Sequence, residues 1–558
     1  MPEAEVVLLP NLKEKEDIFD WLKAGHTMDE LDKLPSKNID EYIYNESEVT
    51  EMDNKKMKNS SDERNQSQVL IKLIKDKGTV LFRDDKNSLY AAVNDGGHRK
   101  IYNIESEMFK SWLNHLYYHK TNRTISKKSF DESYVQIKAF AMFDCEKEIN
   151  LSVRVAKSDN KTFWYDLTNN EWQTVKINAD GWYVEDKPPI LFCRFNHQRS
   201  QITPYSDGDI KHILKYINIQ DNHTLFLCWL VTCFVPDIPH PMPIFYGEKG
   251  AAKSTACEFL KRIIDPSALE TLMLNDTKSL LVNLQQHWFL PFDNVSALNI
   301  EKSDILCRAI TGGGIQQRKL YTNADDYIFN FQKCIAINGI NNVVHRSDLI
   351  DRAILIELSR IEEEKRKEIT EIRYEFEKDL PYILGGIFDV LSKAMSIYPS
   401  LHLERLPRMA DFARWGYAVG EALGGLGQTF LNEYQKNQSD RDNEILTSDV
   451  VAVLVISFMN DLNEWMGTVS ELYLKLTQLA PKIGINTKSK EFPARANYLS
   501  KRMNAIRSNL KSAGIAFEYK KKSDAMYISL VNKNIPPLPP YRHPNLDNYG
   551  DNGDSGDT

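Results

Sequence analysis

The sequence predicts a multidomain protein that combines α/β and α+β domains, and three observations carry this prediction. A chain of 558 residues corresponds to roughly three to five domains of about 100 to 200 residues each. Residues 241–358 follow a strand, loop, helix, strand order, which is typical of a nucleotide-binding α/β core. Before this core, strand-like and helical patches are interleaved, and that mixture indicates an α+β domain.

Composition places the chain among ordinary soluble proteins, since 42% of its residues are hydrophobic and 27% are charged. The longest apolar run, Thr224 to Val235, is shorter than the roughly 20 residues of a spanning helix, so we expect a core helix. No signal segment is recognisable, and the seven cysteines lie singly, without metal-ligand spacing. We therefore expect a cytoplasmic protein with no membrane partner, no zinc site and no disulfide framework.

Composition shifts divide the chain into segments. The stretch from Asn45 to Gln66 is polar and lacks aromatic residues, as linkers do, and the C-terminal tail is rich in Pro, Gly, Asn and Asp. The predicted segments are an N-terminal segment (1–44), a linker (45–66), an α+β domain (67–240), the α/β core (241–358), a helical lid (359–440), a helical segment with a small basic domain (441–532) and a disordered tail (533–558).

The stretch "PIFYGEKGAAKSTACEFLKRII", Pro243 to Ile264, has the context of a phosphate-binding loop: an apolar strand, a glycine-containing loop and an amphipathic helix. Backbone N–H groups of such a loop and of the helix N-terminus cradle phosphate oxygens. We expect Lys253 to reach the phosphates and Ser254 to hold Mg²⁺. The residues predicted to contact the nucleotide are Gly247, Glu248, Lys249, Gly250, Ala251, Ala252, Lys253, Ser254 and Thr255.

Ala252 stands where the usual pattern has its last glycine. Because alanine carries a steric cost at positive φ that glycine lacks, the loop alone leaves an alternative open. That alternative is a strand-to-helix turn with a chance Lys-Ser pair.

Polar residues after the later strands favour the nucleotide site. Asp293 and Asn294 end the apolar run "HWFLPFDN", where a carboxylate can hold the Mg²⁺ shell. Asn338 ends "KCIAIN" and can orient the attacking water. Arg346 and Arg352 precede the final strand. This order of elements makes a chance turn a poor explanation.

The motifs "GEKGAAKST", "FLPFDN", "LCRAITGGGIQQRKLY", "IAINGI" and "DLIDRAILIEL" resemble the ATPase core of AAA+ replicative helicases of phages, plasmids and pathogenicity islands, relatives of superfamily III and MCM-like helicases. The resemblance is strong over residues 241–358, moderate in the flanking segments and absent from the last 25 residues. Alanine before the loop lysine is itself found in MCM-type loops, so the resemblance favours a family variant over a broken site.

The resemblance implies roles for the residues at the nucleotide. ATP and Mg²⁺ are the implied cofactors. Lys253 and Ser254 match Walker A, Asp293 matches the Walker B acid and Asn338 matches sensor 1. Asn294 stands where many members have a catalytic glutamate, which leaves open the residue that polarises the water.

The resemblance also assigns the arginines. Arg352 matches the arginine finger that reaches a neighbouring subunit's site, with Arg346 as the alternative. Arg408, in "LPRMADFARW", is the candidate for sensor 2. A finger that acts in trans implies assembly into a ring, and the family implies a homo-hexamer.

A hairpin is predicted between the second and third core strands, where "RKLY" and "DYIFNF" flank the turn-prone "TNADD". In the family that the core resembles, such a hairpin tracks single-stranded DNA in the central channel, and Arg318 and Lys319 match its basic residues. The alternative is a surface hairpin whose charges are merely solvated.

The C-terminal domain reads as two helices followed by a hairpin with a basic turn, the order of a winged helix. Phosphate contacts by its basic residues would give salt-sensitive binding to duplex DNA, and one helix could read base edges in the major groove. The alternative is a domain used for packing or protein contacts. The candidate DNA-binding residues are Arg495, Lys501, Arg502, Arg507, Lys511, Lys520, Lys521 and Lys522.

The N-terminal stretch "LLPNLKEKEDIFDWLKAGHTMDELDKL" resembles the end of a Toprim-type primase domain. The catalytic acid cluster of that fold is absent from the sequence, so we expect residues 1–44 to be a remnant without primase activity and a separate primase to be a possible partner.

These observations predict an ATP-dependent, hexameric DNA helicase, with 3′ to 5′ polarity implied by the resemblance, acting in replication initiation of a mobile genetic element. Two alternatives stay open. One is an initiator ATPase that remodels an origin without processive unwinding, and the other is a DNA-binding switch whose assembly ATP controls.

Overall fold

The structure is a computed structural model, and the residues that it describes fall into two compact units. They are residues 5–7, 23, 25, 27, 30, 36–38, 60–84, 87–95, 98–145, 149, 151–159, 161–186, 188–295, 298–318, 326–330, 332–339, 347–489, 491–521 and 526–533. The first unit takes in Met1–Phe82, Leu89–Ala91 and Tyr102–Glu146, and the second takes in Arg83–Ser88, Ala92–Ile101 and Lys147–Thr558. Most of 1–44 and nearly all of 533–558 lie outside the described residues, so the predictions for them stay predictions.

Three helices pack around Phe109, Leu113 and Ile137 in the first unit. Their bounds are α1 (Ser60–Asp76), α2 (Glu107–Thr121) and α3 (Lys127–Phe143). The N-terminal strands are β1 (Glu5–Val7) and β2 (Ser36–Asn38), which pair with each other. Helix α1 begins inside the stretch 45–66 that was predicted to be a linker. The sequence did not predict its first turns because they are polar and show no apolar periodicity.

Two antiparallel sheets follow. The first has the order β3-β4-β5, with β3 (Val80–Arg83), β4 (Leu89–Asp95) and β5 (His98–Asn103). The second has the order β6-β7-β8-β9, with β6 (Val155–Asp159), β7 (Thr162–Asp166), β8 (Thr174–Asn178) and β9 (Gly181–Glu185).

The division of residues 67–240 differs from the single α+β domain that we predicted. Residues 147–240 lie in the same compact unit as the α/β core. The reason is a shared interior, since the buried Tyr165 of β7 donates a hydrogen bond to the carbonyl of Ile264 at 3.2 Å. Composition along the chain does not reveal such packing between distant segments.

The α/β core is built on a parallel four-stranded sheet of order β11-β14-β10-β15. Its strands are β10 (Met242–Tyr246), β11 (Phe289–Phe292), β14 (Cys334–Asn338) and β15 (Ala353–Glu357). Helices of this region are α4 (His223–Thr232), α5 (Lys253–Ile264), α6 (Thr277–Gln286), α7 (Ile300–Thr311) and the short α8 (Ser347–Ile350). The apolar run that begins at Thr224 forms α4, in which every residue from Thr224 to Thr232 is buried.

Three long helices follow the core: α9 (Ile369–Ile397), α10 (Ala410–Ala422) and α11 (Gly427–Ser448). The predicted boundary between residues 440 and 441 therefore falls inside α11. The stretch Ile369–Ser400 is long and apolar enough to cross a membrane, but 72% of its most apolar window is buried. Burial against the rest of the unit accounts for its apolar character.

The C-terminal domain has its own hydrophobic core, centred on Leu454, Leu472, Leu499 and Leu530. Its helices are α12 (Val450–Met459), α13 (Val469–Leu479), α14 (Ala496–Ala505) and α15 (Arg507–Ser512). Its strands β16 (Glu464–Thr468), β17 (Ile515–Lys521) and β18 (Met526–Asn532) form an antiparallel sheet of order β16-β18-β17.

Candidate functional site

The loop between β10 and α5 is held by residues with positive φ. Gly247 has φ +144°, and a Cβ there would lie 2.2 Å from the carbonyl oxygen of Leu358, so only glycine fits. Gly250 has φ +90°. Successive backbone N–H groups in such conformations form concavities that bind anions, and the loop leads directly into the N-terminus of α5.

Ala252 adopts the conformation that the missing glycine would adopt. Its φ and ψ are 55° and 36°, in the left-handed region, and it is the N-cap of α5. This conformation costs an L-residue with a Cβ about 1–2 kcal/mol. Strain of this kind persists where surrounding structure imposes it, and it concentrates at functional sites.

Four polar side chains meet at the carboxyl edge of the sheet. The amide of Asn338 donates to the Asp293 carboxylate at 2.5 Å and to the Ser254 hydroxyl at 3.3 Å. Lys253 donates to the carbonyls of Gly247 and Glu248 at 2.9 and 3.0 Å. Strand β14 lies between β10 and β11, and this order places Asn338 between the loop and Asp293.

Asn294 does not supply a carboxylate at this edge. Its backbone N–H donates to Asp293 Oδ1 at 2.9 Å, and its φ of 49° is left-handed, a conformation that asparagine tolerates better than most residues. Asp293 is therefore the only acid among the four residues Lys253, Ser254, Asp293 and Asn338.

These residues fit a magnesium nucleotide. Mg²⁺ prefers oxygen ligands and is usually held by one or two carboxylates together with substrate phosphates. Ser254 and Asp293 supply such oxygens, and Lys253 supplies a cation. In the described part of the chain no group of three or more His, Cys, Asp or Glu residues could hold a metal ion.

Arg352 lies at the opposite edge of the sheet. The Met242 N–H donates to the Arg352 carbonyl at 2.9 Å, which places Arg352 level with the amino end of β10. Five residues at about 3.3 Å each separate that level from Gly247, a distance that exceeds the reach of an arginine. Its guanidinium donates to the Asp348 carbonyl and lies 3.8 Å from Cys307 Sγ.

Two further arginines gather around Asp351. Arg408, the predicted sensor 2, forms an ion pair with the Asp351 carboxylate, and Arg441 donates to the Asp351 carbonyl at 3.1 Å. The structure thus groups Arg408 with Arg352 and away from the loop of its own chain. The other finger candidate, Arg346, lies outside the described residues.

Sequence reasoning missed Arg360. It follows the carboxyl end of β15, and its guanidinium lies 4.0 Å from the Glu248 carboxylate of the loop. Its position, three residues after the last core strand, was a signal that could have identified it, because the carboxyl ends of parallel strands meet at one edge.

The far end of α5 is fixed by a buried ionic network. Lys261 donates to Asp265 at 2.8 Å, contacts His287 Nδ1 at 3.0 Å and donates to the Phe289 carbonyl at 2.6 Å. Arg154 donates to the other oxygen of Asp265 at 3.1 Å. Burial opposes ionisation of Asp265, but Lys261 and Arg154 outweigh it and hold its pKa well below the usual range.

The hairpin predicted between the second and third core strands has two described, paired arms. Strands β12 (Gly314–Arg318) and β13 (Asp326–Asn330) pair from Gly314 with Asn330 to Arg318 with Asp326. The described part of the first arm is "GIQQR", which begins four residues before the predicted "RKLY". Arg318 ends that arm, and Lys319 lies outside the described residues.

Among the described basic residues of the C-terminal domain, Arg502 is partly buried in an ion pair and the others are exposed. Arg502 forms an ion pair with Asp449, which is 3% exposed and caps α12 through the N–H groups of Val451 and Ala452. Arg507 lies 4.5 Å from the ring centre of Phe517. Lys522 is outside the described part of the chain. The exposed members are Arg495, Lys501, Arg507, Lys511, Lys520 and Lys521.

Two family matches cover most of the second unit. Residues 210–443 match the family described as actinomycete integrative conjugative element replication protein, and residues 451–539 match the AICE RepA C-terminal domain. Together the two segments include more than half of the chain. They support the predicted setting, DNA replication of a mobile element, and the boundary between them agrees with the separate core of the C-terminal domain.

Comparison with curated proteins gives no match. Among solved structures, two apo A-form structures of the NrS-1 C-terminal region are similar to this chain at 13% and 14% identity, with TM-scores of 0.37 and 0.36. They cover 84% and 83% of this chain and 100% and 99% of their own. Similarity at this level leaves function to be argued from the site.

Proposed function

We propose that this chain, which over most of its second unit matches replication proteins of integrative conjugative elements, is an ATP-driven DNA helicase that acts when such an element begins replication. The observation that carries the proposal is the meeting of Lys253, Ser254, Asp293 and Asn338 at the carboxyl edge of a parallel sheet. Lysine, hydroxyl, carboxylate and amide in this order are what phosphoryl transfer from a nucleotide requires.

The roles follow from the chemistry of each group. Lys253 neutralises charge on the β- and γ-phosphates, while Ser254 and Asp293 bind Mg²⁺. Asn338, already hydrogen-bonded to Asp293, is placed to orient the attacking water. Magnesium stabilises the charge that develops on the phosphates when the nucleotide is bound. Because residue 294 is an asparagine, Asp293 is the carboxylate that we assign to this chemistry.

Ring assembly is part of the proposal because Arg352, at the amino end of the sheet, cannot reach the nucleotide site of its own chain. An arginine directed at the γ-phosphoryl accelerates phosphoryl transfer by about 10³ to 10⁵. Arg352 is too far from its own loop, so we propose that Arg352 of a neighbouring subunit acts there, in addition to the chain's own Arg360 near Glu248. Arg408 and Arg441 surround Asp351 on the same edge and would belong to the same subunit interface. We propose a homo-hexamer with AAA+ subunits.

Contact with DNA is proposed at two places. The hairpin β12–β13 would follow single-stranded DNA in the ring's channel, with 3′ to 5′ polarity. The C-terminal domain would bind duplex origin DNA as a winged helix. Its order of α12, β16, α13, α14, α15, β17 and β18 and its exposed basic residues support that assignment.

The test is displacement of a strand from a forked duplex with ATP and Mg²⁺. We expect displacement by the full chain, loss of it in Lys253→Ala, and retention in Lys393→Ala, which removes an exposed lysine of α9. Forks with a single 3′ or 5′ tail establish polarity. ATP hydrolysis without any displacement would exclude the helicase and leave the remodelling initiator.

Asn294 supports a second candidate, a DNA-binding switch whose assembly ATP controls. A site with an amide in place of a second carboxylate could bind ATP and turn it over slowly. Stimulation of ATP turnover by single-stranded DNA distinguishes the two, since a helicase should be stimulated and a static switch should not.

A further inference from the structure

A second pocket lies on the sheet β6–β9, outside the nucleotide site. Its volume is about 350 Å³, within the range of roughly 300–1,000 Å³ that is typical of ligand sites. Its walls combine apolar residues of the segment after β9 with an indole, two arginines and polar side chains. All of its lining residues belong to the second compact unit.

Trp172 lines this pocket and has a strained backbone conformation. Its φ is +57°, which for a bulky residue is a rare conformation that marks strain. The guanidinium of Arg194 lies 3.8 Å from the centre of the indole. Strain that surrounding contacts impose is frequently connected with ligand binding.

The contacts of Arg194 explain why the indole is fixed. Its Nε and Nη2 donate to the two carboxylate oxygens of Asp166 at 2.9 and 2.5 Å, and its Nη1 donates to the Asn169 carbonyl at 2.7 Å. Asp166 is 1% exposed. A paired arginine of this kind contributes a flat, immobile surface, so the pocket offers a rigid aromatic platform whose orientation is set before any ligand arrives.

The remaining polar groups of the pocket indicate which class of ligand could bind against the indole. Asn94 and Asp186 are exposed at the pocket and offer an amide and a carboxylate to the edge of a planar heterocycle. Arg99, also exposed, offers a cation to an anionic group. Stacking surface, edge acceptors and a nearby cation together suit a nucleobase that carries a phosphate.

We propose that this pocket binds one nucleotide of single-stranded DNA, with the base stacked against Trp172 and the phosphate at Arg99. The pocket is then a second contact for the strand, separate from the ATP site. The proposal does not depend on ATP hydrolysis or on helicase activity, so its test uses the full chain with Lys253→Ala, in which the phosphate loop is disabled.

The first experiment measures binding of a fluorescent oligothymidylate of about 20 nucleotides by anisotropy. Base stacking on one aromatic side chain is worth about 1–3 kcal/mol, so Trp172→Leu should weaken binding by about 5- to 150-fold. Trp172→Phe, which keeps a ring, should recover most of the loss. The control Tyr183→Leu, an exposed aromatic residue of the same sheet, should leave affinity unchanged. Equal affinity of Trp172→Leu and the parent chain would overturn the proposal.

The phosphate contact has its own readout. Removing one phosphate contact lowers the slope of log affinity against log salt by about 0.7 for a single strand. Arg99→Gln should show that change, and Lys161→Gln, an exposed lysine of the same sheet region, should not. A slope that is the same in Arg99→Gln and Lys161→Gln contradicts the assignment of Arg99.

Photocrosslinking keeps the test independent of variant folding. A strand that contains 5-iodouracil should crosslink to Trp172 of the chain, and crosslinks found only elsewhere would overturn the proposal. Excess thymidine 5′-monophosphate distinguishes the source of the nucleotide. If it abolishes the Trp172 crosslink at the concentration at which the strand itself binds, the pocket takes free nucleotides and the single-strand proposal fails.

Discussion

Ala252 shows how a single residue can depart from a motif without departing from its geometry. It has the left-handed conformation of a glycine, between Gly250 at φ +90° and the first residue of α5. The backbone is held there by its neighbours, including Gly247, whose lack of a Cβ allows contact with the Leu358 carbonyl. The substitution therefore changes the energy of the loop and leaves its shape.

The residue-scale prediction is that Ala252→Gly stabilises the protein. Glycine relieves about 1–2 kcal/mol of left-handed strain in the folded state. It also raises the entropy of the unfolded chain, which lowers stability by about 0.4–1 kcal/mol. The free energy of unfolding should therefore rise by about 0.5–1 kcal/mol. Urea unfolding measures it. Ala256→Gly, in the second turn of α5 where the backbone is helical, should destabilise by a similar amount. Destabilisation by both substitutions would show that residue 252 is not left-handed.

At the scale of elements, α5 connects the candidate nucleotide site at its N-terminus with a buried ionic network at its C-terminus. Its first residues bear Lys253 and Ser254, and its last turn enters the buried network of Lys261, Asp265 and His287. Fixing the far end of the helix fixes the position of the near end relative to β11, which carries Asp293. Burial and the Lys261 ammonium lower the pKa of His287 to about 2, so this histidine stays neutral in the folded protein.

The network predicts a dependence of stability on pH. His287 has a depressed pKa when folded and a pKa of about 6.5 when unfolded. Below that value only the unfolded chain binds the proton, so stability is complete above pH 6.5 and falls by about 1.4 kcal/mol per pH unit below it. Urea unfolding between pH 5 and 8 measures this, and His287→Gln should reduce the slope. His402→Gln, at an exposed histidine, should not, and equal slopes in both variants would exclude His287 as the cause.

The C-terminal domain gives a second prediction at this scale. Lys501 and Arg502 are adjacent on α14, but Lys501 is exposed while Arg502 pairs with the buried Asp449. Arg502→Ala should lower the free energy of unfolding by about 1–3 kcal/mol because it leaves a buried carboxylate without its partner. Lys501→Ala should instead leave stability unchanged and lower the salt slope of duplex binding by about 0.9.

Unfolding in urea and binding titrations at several salt concentrations separate these effects. If Arg502→Ala changed only the salt slope, its pairing with Asp449 would be unimportant for the fold and the original expectation of a DNA contact would be restored.

At the scale of the whole molecule, the proposed function divides one reaction between the two ends of the parallel sheet. The carboxyl edge holds Lys253 and Asp293, and the amino edge holds Arg352. A single chain cannot bring the two together, because the length of β10 separates them. Under the proposed function, Arg352 of a neighbouring copy completes the site.

Mixing two inactive variants tests this arrangement. Lys253→Ala and Arg352→Ala should each lose ATP turnover, and a mixture should regain part of it, because an Arg352→Ala subunit keeps its loop and receives Arg352 from a Lys253→Ala neighbour. Lys253→Ala mixed with Asp293→Asn, both at the carboxyl edge, should recover nothing, since no subunit then has a complete loop side. Failure of the first mixture under conditions in which subunits exchange would contradict a finger in trans.

The sequence by itself determined the loop, the strand ends and the order of the core, because these are local: glycines, a Lys-Ser pair and polar residues after apolar runs are adjacent in the chain. It also identified the C-terminal domain and the hairpin, whose first arm begins four residues earlier than predicted. Only the tertiary structure decided that residues 147–240 share the interior of the core. It also decided that Arg408 lies beside Arg352 and that Arg502 forms an ion pair with Asp449. Each of these depends on contacts between segments far apart in sequence, for which neither periodicity nor charge leaves a local signal.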